Sequence, residues 1–149
     1  MKKLLYLLFF WLIVSCEKEE VKPQITVDSI ILIEVQEIMA GSEKKLILNC
    51  QTEKTYPCAN YYIRAIQEVS DNKFSVMFTN IGTDGVCATA LGPARTKIYL
   101  GSLDYGTYPL SLHVNGLRNT GTLTITDSQI LLDIPQQNGI KIINPVYIR

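Results

Sequence analysis

The strongest constraint in this chain is a repeat of two. From Ile25 onward apolar side chains alternate with polar or small ones, and Gly, Asn, Asp and Pro break the runs at short intervals. Successive side chains of a strand point to opposite faces, so this pattern buries one face of a sheet, whereas a helix needs a period near 3.6. Tyr108, Leu110, Leu112 and Val114 share one parity, and Asn115-Gly116 follows directly. That dipeptide suits a type I′ turn, in which both central residues take positive φ. Folding across it predicts Val114 opposite Leu117, Leu110 opposite Gly121 and Tyr108 opposite Leu123. A second hairpin is predicted where Tyr61, Ile63, Ala65 and Val69 share a parity, Ser70 to Lys73 make a polar turn, and Phe74, Val76 and Phe78 resume the apolar face.

Further strands are predicted over 30–35, 45–52, 97–100, 129–134 and 140–147, giving about nine in all and no long helix. Residues 82–85 and 91–95 read as loops, the second with Gly92 and Pro93 as breakers. A series of short strands with turn chemistry between them argues for an all-β, antiparallel β-sandwich of about seven to nine strands, with an up-and-down barrel as the other closure. Lys44, Lys45, Glu53, Arg64, Glu68 and Lys97 suit its outward positions. A membrane barrel does not fit strands that lack a continuous lipid-facing band.

The chain has 149 residues, 14 basic and 14 acidic side chains and one histidine, so it is sized for one domain and carries no excess positive charge. Nucleic acid is therefore not expected as a partner. With 47% hydrophobic and only 19% charged residues, a packed core is expected rather than disorder.

The first residues read as an address. Met1, Lys2 and Lys3 precede eleven uncharged apolar or aromatic residues, Leu4 to Val14. A spanning helix needs roughly 20 such residues, so the layout is that of a secretory signal. Ile13-Val14-Ser15-Cys16 resembles the lipobox of bacterial lipoproteins. The resemblance implies a signal peptide over 1–15, a lipid on the Cys16 thiol, a tether over 16–24 and a domain over 25–149. The membrane would then be a partner through that lipid, held firmly only if more than one acyl chain is attached. Glu17-Lys18-Glu19-Glu20 resembles the export signal of Bacteroidota lipoproteins, which implies an outer-membrane anchor with the domain facing the cell exterior.

A thioether on Cys16 leaves Cys50, Cys58 and Cys87, which allow three pairings. Cys58 with Cys87 is the favoured disulfide, tying the start of a hairpin to a later loop. Cys50 shares parity with Leu46 and Leu48 and can pack as a small hydrophobe. No Cys-x-x-Cys pair or neighbouring histidine completes a zinc set, and no metal or cofactor is expected.

The segments Tyr56-Pro57-Cys58-Ala59-Asn60-Tyr61 and Cys87-Ala88-Thr89-Ala90-Leu91-Gly92-Pro93-Ala94 are similar to a group of small Bacteroidota surface lipoproteins of unknown function. That resemblance, over most of the chain from Ile25, implies an immunoglobulin-like sandwich and no particular activity. The antibody pattern itself is missing, because the sole tryptophan, Trp11, is in the leader.

Three sets of residues carry candidate chemistry. Ser111 and His113 are the best nucleophile and base, but two residues along a strand are roughly 6.8 Å apart, which argues against their direct contact and against an enzyme. Asp71, Asp84, Asp104 and Asp127 sit where turns already favour Asp. Tyr62, Tyr99 and Tyr105 can project outward as contacts for a ligand such as a sugar. The expected function is a lipid-anchored cell-envelope binding, adhesion or structural module, its partner an envelope protein or a glycan. The alternatives are a glycan-binding accessory protein in surface nutrient capture and a hydrolase using Ser111 and His113. Loops over 81–93 and 103–107 are the expected contact regions.

Overall fold

A computed structural model describes residues 25–149 apart from 84, 86 and 88. The leader, Cys16, the tether and Asp84 lie outside the described residues. Everything described is strand, turn or loop. The strands are β1 (Ile25–Thr26), β2 (Ile31–Ala40), β3 (Glu43–Tyr56), β4 (Tyr61–Ser70), β5 (Lys73–Thr83), β6 (Gly92–Gly101), β7 (Gly106–Val114), β8 (Leu117–Ile125), β9 (Gln129–Asp133), β10 (Ile140–Asn144) and β11 (Val146–Ile148).

Both predicted hairpins form. Val114 faces Leu117, Leu110 faces Gly121 and Tyr108 faces Leu123. The turn residues Asn115 and Gly116 have φ of 51° and 77°, as a type I′ turn requires. Asp71 and Asn72 make the second such turn at φ of 50° and 60°, a left-handed region that Asp and Asn enter more readily than other residues with a Cβ. Inward residues meet in one core, with Ile31, Ile33, Leu48, Val76, Leu112 and Leu123 among its most deeply buried members.

The described residues form eleven strands, not about nine, for two physical reasons. The pair Ile25–Thr26 is too short to show a period, yet it docks on β5 through Ile25 to Ile81 and Thr26 to Asn80. The predicted strand over 140–147 divides at Pro145, which has no N–H for a ladder bond. The second predicted loop is also corrected, because Gly92 and Pro93 open β6 instead of breaking the chain. At Gly92 a Cβ would come within 3.2 Å of the Ala59 Cα, so glycine there permits a close backbone approach. The register of β3 against β6 slips between Gln51 and Thr55, and the buried Thr52 hydroxyl accepts the Ala94 N–H at 2.9 Å. Similarly, β5 runs to Thr83, into the first predicted loop.

The strands form one sheet nearly closed into a barrel, in the order β10-β2-β3-β6-β4-β5-β7-β8-β9-β11, with β1 on β5. Most pairs are antiparallel as expected, but β10 with β2, β5 with β7 and β4 with β6 are parallel. Parallel neighbours arise here because whole hairpins are laid side by side, so strands adjacent in the sheet are not consecutive in the chain. The segment 140–148 joins the two ends of the sheet: β10 pairs with β2, and beyond Pro145 β11 pairs with β9. The ladder between β4 and β6 is short, with the single pair Tyr62 and Arg95, after which Gln67 Nε2 donates to the Tyr99 carbonyl at 3.0 Å.

Candidate functional site: a polar cleft on the outer sheet face

The core takes the odd residues of β2 and the even ones of β3 and β6, leaving the opposite parity on the outside. Register then sets these outward side chains in rows across the three strands. Leu32, Gln51 and Arg95 form one row, and Glu34, Asn49 and Lys97 the next. Gln36, Ile47 and Tyr99 follow, with Ile47 fully buried in spite of its parity. Neighbouring strands lie about 4.8 Å apart and same-face residues about 6.8 Å apart along a strand, so the rows make a small flat grid. The first two rows, with Ile143 from beyond β2, line an open cleft of about 570 Å³.

The grid is held from within. Asn49 Nδ2 lies 2.8 Å from Gln36 Oε1 and 3.4 Å from Glu34 Oε1. Asn144 Nδ2 donates to the other Glu34 oxygen at 2.9 Å. The Glu34 carboxylate is thereby fixed on one wall. Arg95 and Lys97 stand on the other wall, two strand spacings away, and neither is ion-paired with any carboxylate among the described residues. Leu32 and Ile143 supply apolar surface beside them. Planar amides, a carboxylate and cations on a rigid sheet, with apolar patches between, can hydrogen-bond a ligand rich in hydroxyls while packing against its C–H faces.

The three candidate tyrosines are not gathered into one platform. Tyr62 is outward on β4 beside Arg95, and its ring covers Gly82, where a Cβ would sit 3.1 Å from the ring. Arg64 folds onto it, donating from Nη2 to the Tyr62 hydroxyl at 2.7 Å. Tyr99 is 57% exposed and continues the β6 wall beyond Lys97. Tyr105 is exposed elsewhere, with the Arg149 guanidinium 5.4 Å from its ring centre. The two candidate loops are also separated. β5 ends and β6 begins at the end of the barrel where β1 docks, whereas 103–105 precedes β7 at the other end.

Ser111 and His113 depart from expectation. The Ser111 hydroxyl is 3.1 Å from His113 Nε2, a hydrogen bond that the along-strand spacing argued against. The imidazole extends far enough from its own Cα to reach back along the strand, which a Cα spacing does not capture. Arg118, directly opposite His113 on β8, donates from Nε to the same hydroxyl at 3.0 Å. Ser111 and Arg118 border a second, smaller cleft of about 260 Å³ with Glu68, Ser75 and Thr120. No hydrogen bond joins a carboxylate to His113 among the described residues.

Cys58 and Cys87 form a disulfide, their Cα atoms 5.2 Å apart. Cys50 is a free, buried thiol, and burial pushes its pKa well above the ordinary thiol range, so it holds no nucleophilic thiolate. Among the described residues no three His, Cys, Asp or Glu side chains gather as a metal set.

Of the polar cleft residues, the sequence singled out Lys97 as outward, with Tyr99 next to it on the same strand. Glu34 meets Asn49 through the β2–β3 hairpin, whereas Asn49 and Gln51 meet Lys97 and Arg95 through the pairing of β3 with β6, which brings together residues more than 40 positions apart. The one local signal was the alternation Arg95, Lys97, Tyr99 between inward Ala94, Ile98 and Leu100. No family model, curated protein or solved structure matches the chain.

Proposed function

We propose that this chain is a lipid-anchored binding module of the cell envelope, held through Cys16, and that the outer face of β2, β3 and β6 contacts a carbohydrate. The observation that carries this reading is the grid of Glu34, Asn49, Gln51, Arg95 and Lys97 in a cleft of about 570 Å³. Its carboxylate, amides and guanidinium are planar and several are already fixed by one another, which reduces the ordering cost of binding. Tyr99 adds an exposed ring at one end of the same face. The immunoglobulin-like sandwich belongs to this proposal as the two-layered form of the closed sheet, offering one broad wall to a ligand. The proposed tether supports the same picture. Ile25 enters beside Ile81, at the barrel end that carries the disulfide, so the walls and the turns at Gly41 and Asp71 extend away from the attachment. Retention of the full chain on a panel of immobilised polysaccharides tests the reading. Asn49→Ala with Gln51→Ala should abolish retention on whichever polymer is bound, while alanine at Tyr105 should leave it intact. No retention on any polymer, or retention indifferent to Asn49 and Gln51, overturns it.

A second reading, a hydrolase, is favoured by the contact between Ser111 and His113. In that chemistry Ser111 Oγ attacks an ester carbonyl, His113 Nε2 takes its proton and returns it to the leaving alcohol, and water then frees the acyl group. Arg118 beside the hydroxyl can stabilise negative charge developing there. Labelling of Ser111 by a fluorophosphonate probe, lost in His113→Gln, is the expected sign; an unlabelled Ser111 removes this reading.

A further inference from the structure

We infer that the ligand of the outer cleft is an acidic glycan, one whose sugars carry carboxylate or sulfate groups; this rests on the carbohydrate reading above and adds the charge. The cleft is polarised across its width. On the β2 wall, both Glu34 oxygens lie near amide donors, Asn49 on one and Asn144 on the other, so that carboxylate is occupied by neutral partners and is not spent on a cation. On the β6 wall, Arg95 and Lys97 are both exposed and both face the same side of the strand. The three ion pairs among the described residues involve Lys44, Lys54 and Arg149, none of them in this cleft.

Two cations about 6.8 Å apart on one edge, with no ion-paired carboxylate on them among the described residues, leave a positive strip about 9.6 Å from the Glu34 wall. Between them Asn49 and Gln51 present donors and acceptors suited to hydroxyls. A neutral sugar satisfies the amides and leaves the strip unanswered. A sugar acid answers both, because its anion can take charge-assisted hydrogen bonds from Arg95 or Lys97 while its hydroxyls meet Asn49, Gln51 and Glu34. The planar Arg95 guanidinium can hold a carboxylate or sulfate through two parallel bonds.

Two matched pairs of polymers separate charge from sugar identity: polygalacturonate against its methyl ester, and dextran sulfate against dextran. The full chain is titrated with each in low salt and again near 1 M salt. The inference expects the charged member of at least one pair to bind roughly tenfold or more tightly, since a hydrogen bond to a charged group is about that strong. That preference should shrink in high salt, where the screening length falls to about 3 Å. It should also vanish in Arg95→Gln/Lys97→Gln, whose exposed positions leave the fold intact, checked by an unchanged thermal midpoint. Equal binding within both pairs overturns the acidic specificity and leaves the carbohydrate reading standing. A preference that survives in the double variant shows that the charge is read elsewhere and overturns the assignment to this cleft. Failure to bind any of the four polymers, or any neutral polysaccharide of the panel, overturns both.

Discussion

Gly121 shows how much a missing methyl can decide. It sits inward on β8 opposite Leu110, and a Cβ there would lie 1.9 Å from the Asp133 carbonyl oxygen and 2.8 Å from Ile134 Cδ1. The oxygen is backbone and cannot rotate away, so the close approach of the end of β9 to β8 at Asp133 exists only because residue 121 has no side chain. Gly121→Ala should lower stability by about 1–3 kcal/mol or more, the range for overpacking a closed core, read as a lower urea midpoint. Gly41 is a useful contrast, because open space surrounds its Cβ position and only its φ of 69° resists substitution. Gly41→Ala should cost about 1–2 kcal/mol through backbone strain alone. Pattern gave no warning of the difference, since a glycine opposite a leucine looks the same whether or not another strand crosses there. The buried Asn119 was equally hidden. It stands at a core position of β8, where its amide donates to the Leu112 and Asn138 carbonyls and accepts the Asn138 N–H at 2.6 Å.

Among the elements, the loop after β5 depends most on a covalent tie. The Cys58–Cys87 bridge spans 29 residues and fastens that loop to the approach to β4. Closing a loop of that length removes freedom from the unfolded chain worth roughly 3–4 kcal/mol. Reduction, or Cys58→Ala with Cys87→Ala, should therefore lower the unfolding midpoint by a corresponding amount, while native Cys50 should stay resistant to alkylation until the barrel opens. Local signals made the hairpins legible, because Asn115-Gly116 and Asp71-Asn72 each set a register that the flanking parities confirm. The disulfide was the favoured one of three open pairings, because Cys50 shares the parity of Leu46 and Leu48. Not legible were the parallel neighbours, the start of β6 at Gly92 and the adjacency of β3 and β6, all of which depend on contacts remote in sequence. The cleft inherits that blindness: each outward residue could be assigned to a face, but not to its neighbours.

At the scale of the whole molecule, the barrel is latched by charge as well as by strands. Arg149 Nη2 pairs with Glu37 at 2.7 Å, Nη1 donates to the Thr126 carbonyl at 2.8 Å, and Lys44 reaches the other Glu37 oxygen at 3.0 Å. Burial works against ionising Glu37, but the hydrogen bonds from Arg149 and Lys44 outweigh it and hold its pKa below the usual carboxylate value. At the other end, hydrogen bonds from Lys54 and Tyr56 lower that of Asp28. A carboxyl whose folded pKa is depressed contributes stability that is complete above its unfolded pKa and is lost as pH falls towards the folded one. Unfolding midpoints should therefore hold steady above about pH 5 and decline below about pH 4.3, the unperturbed glutamate value. Glu37→Gln should be less stable near neutrality and show a shallower acid decline; an unchanged acid slope would remove the latch from the account.

The stitch made by residues 140–149 also has a consequence for how the chain is made. Growing from its first residue, it can assemble every hairpin while β2 and β9 still lack their neighbours, two unsatisfied ribbons of main-chain donors and acceptors open to any passing polypeptide. Only the arrival of β10 and β11 covers both at once. A nascent copy halted before Ile140 would leave both ribbons bare, and aggregation is the expected result.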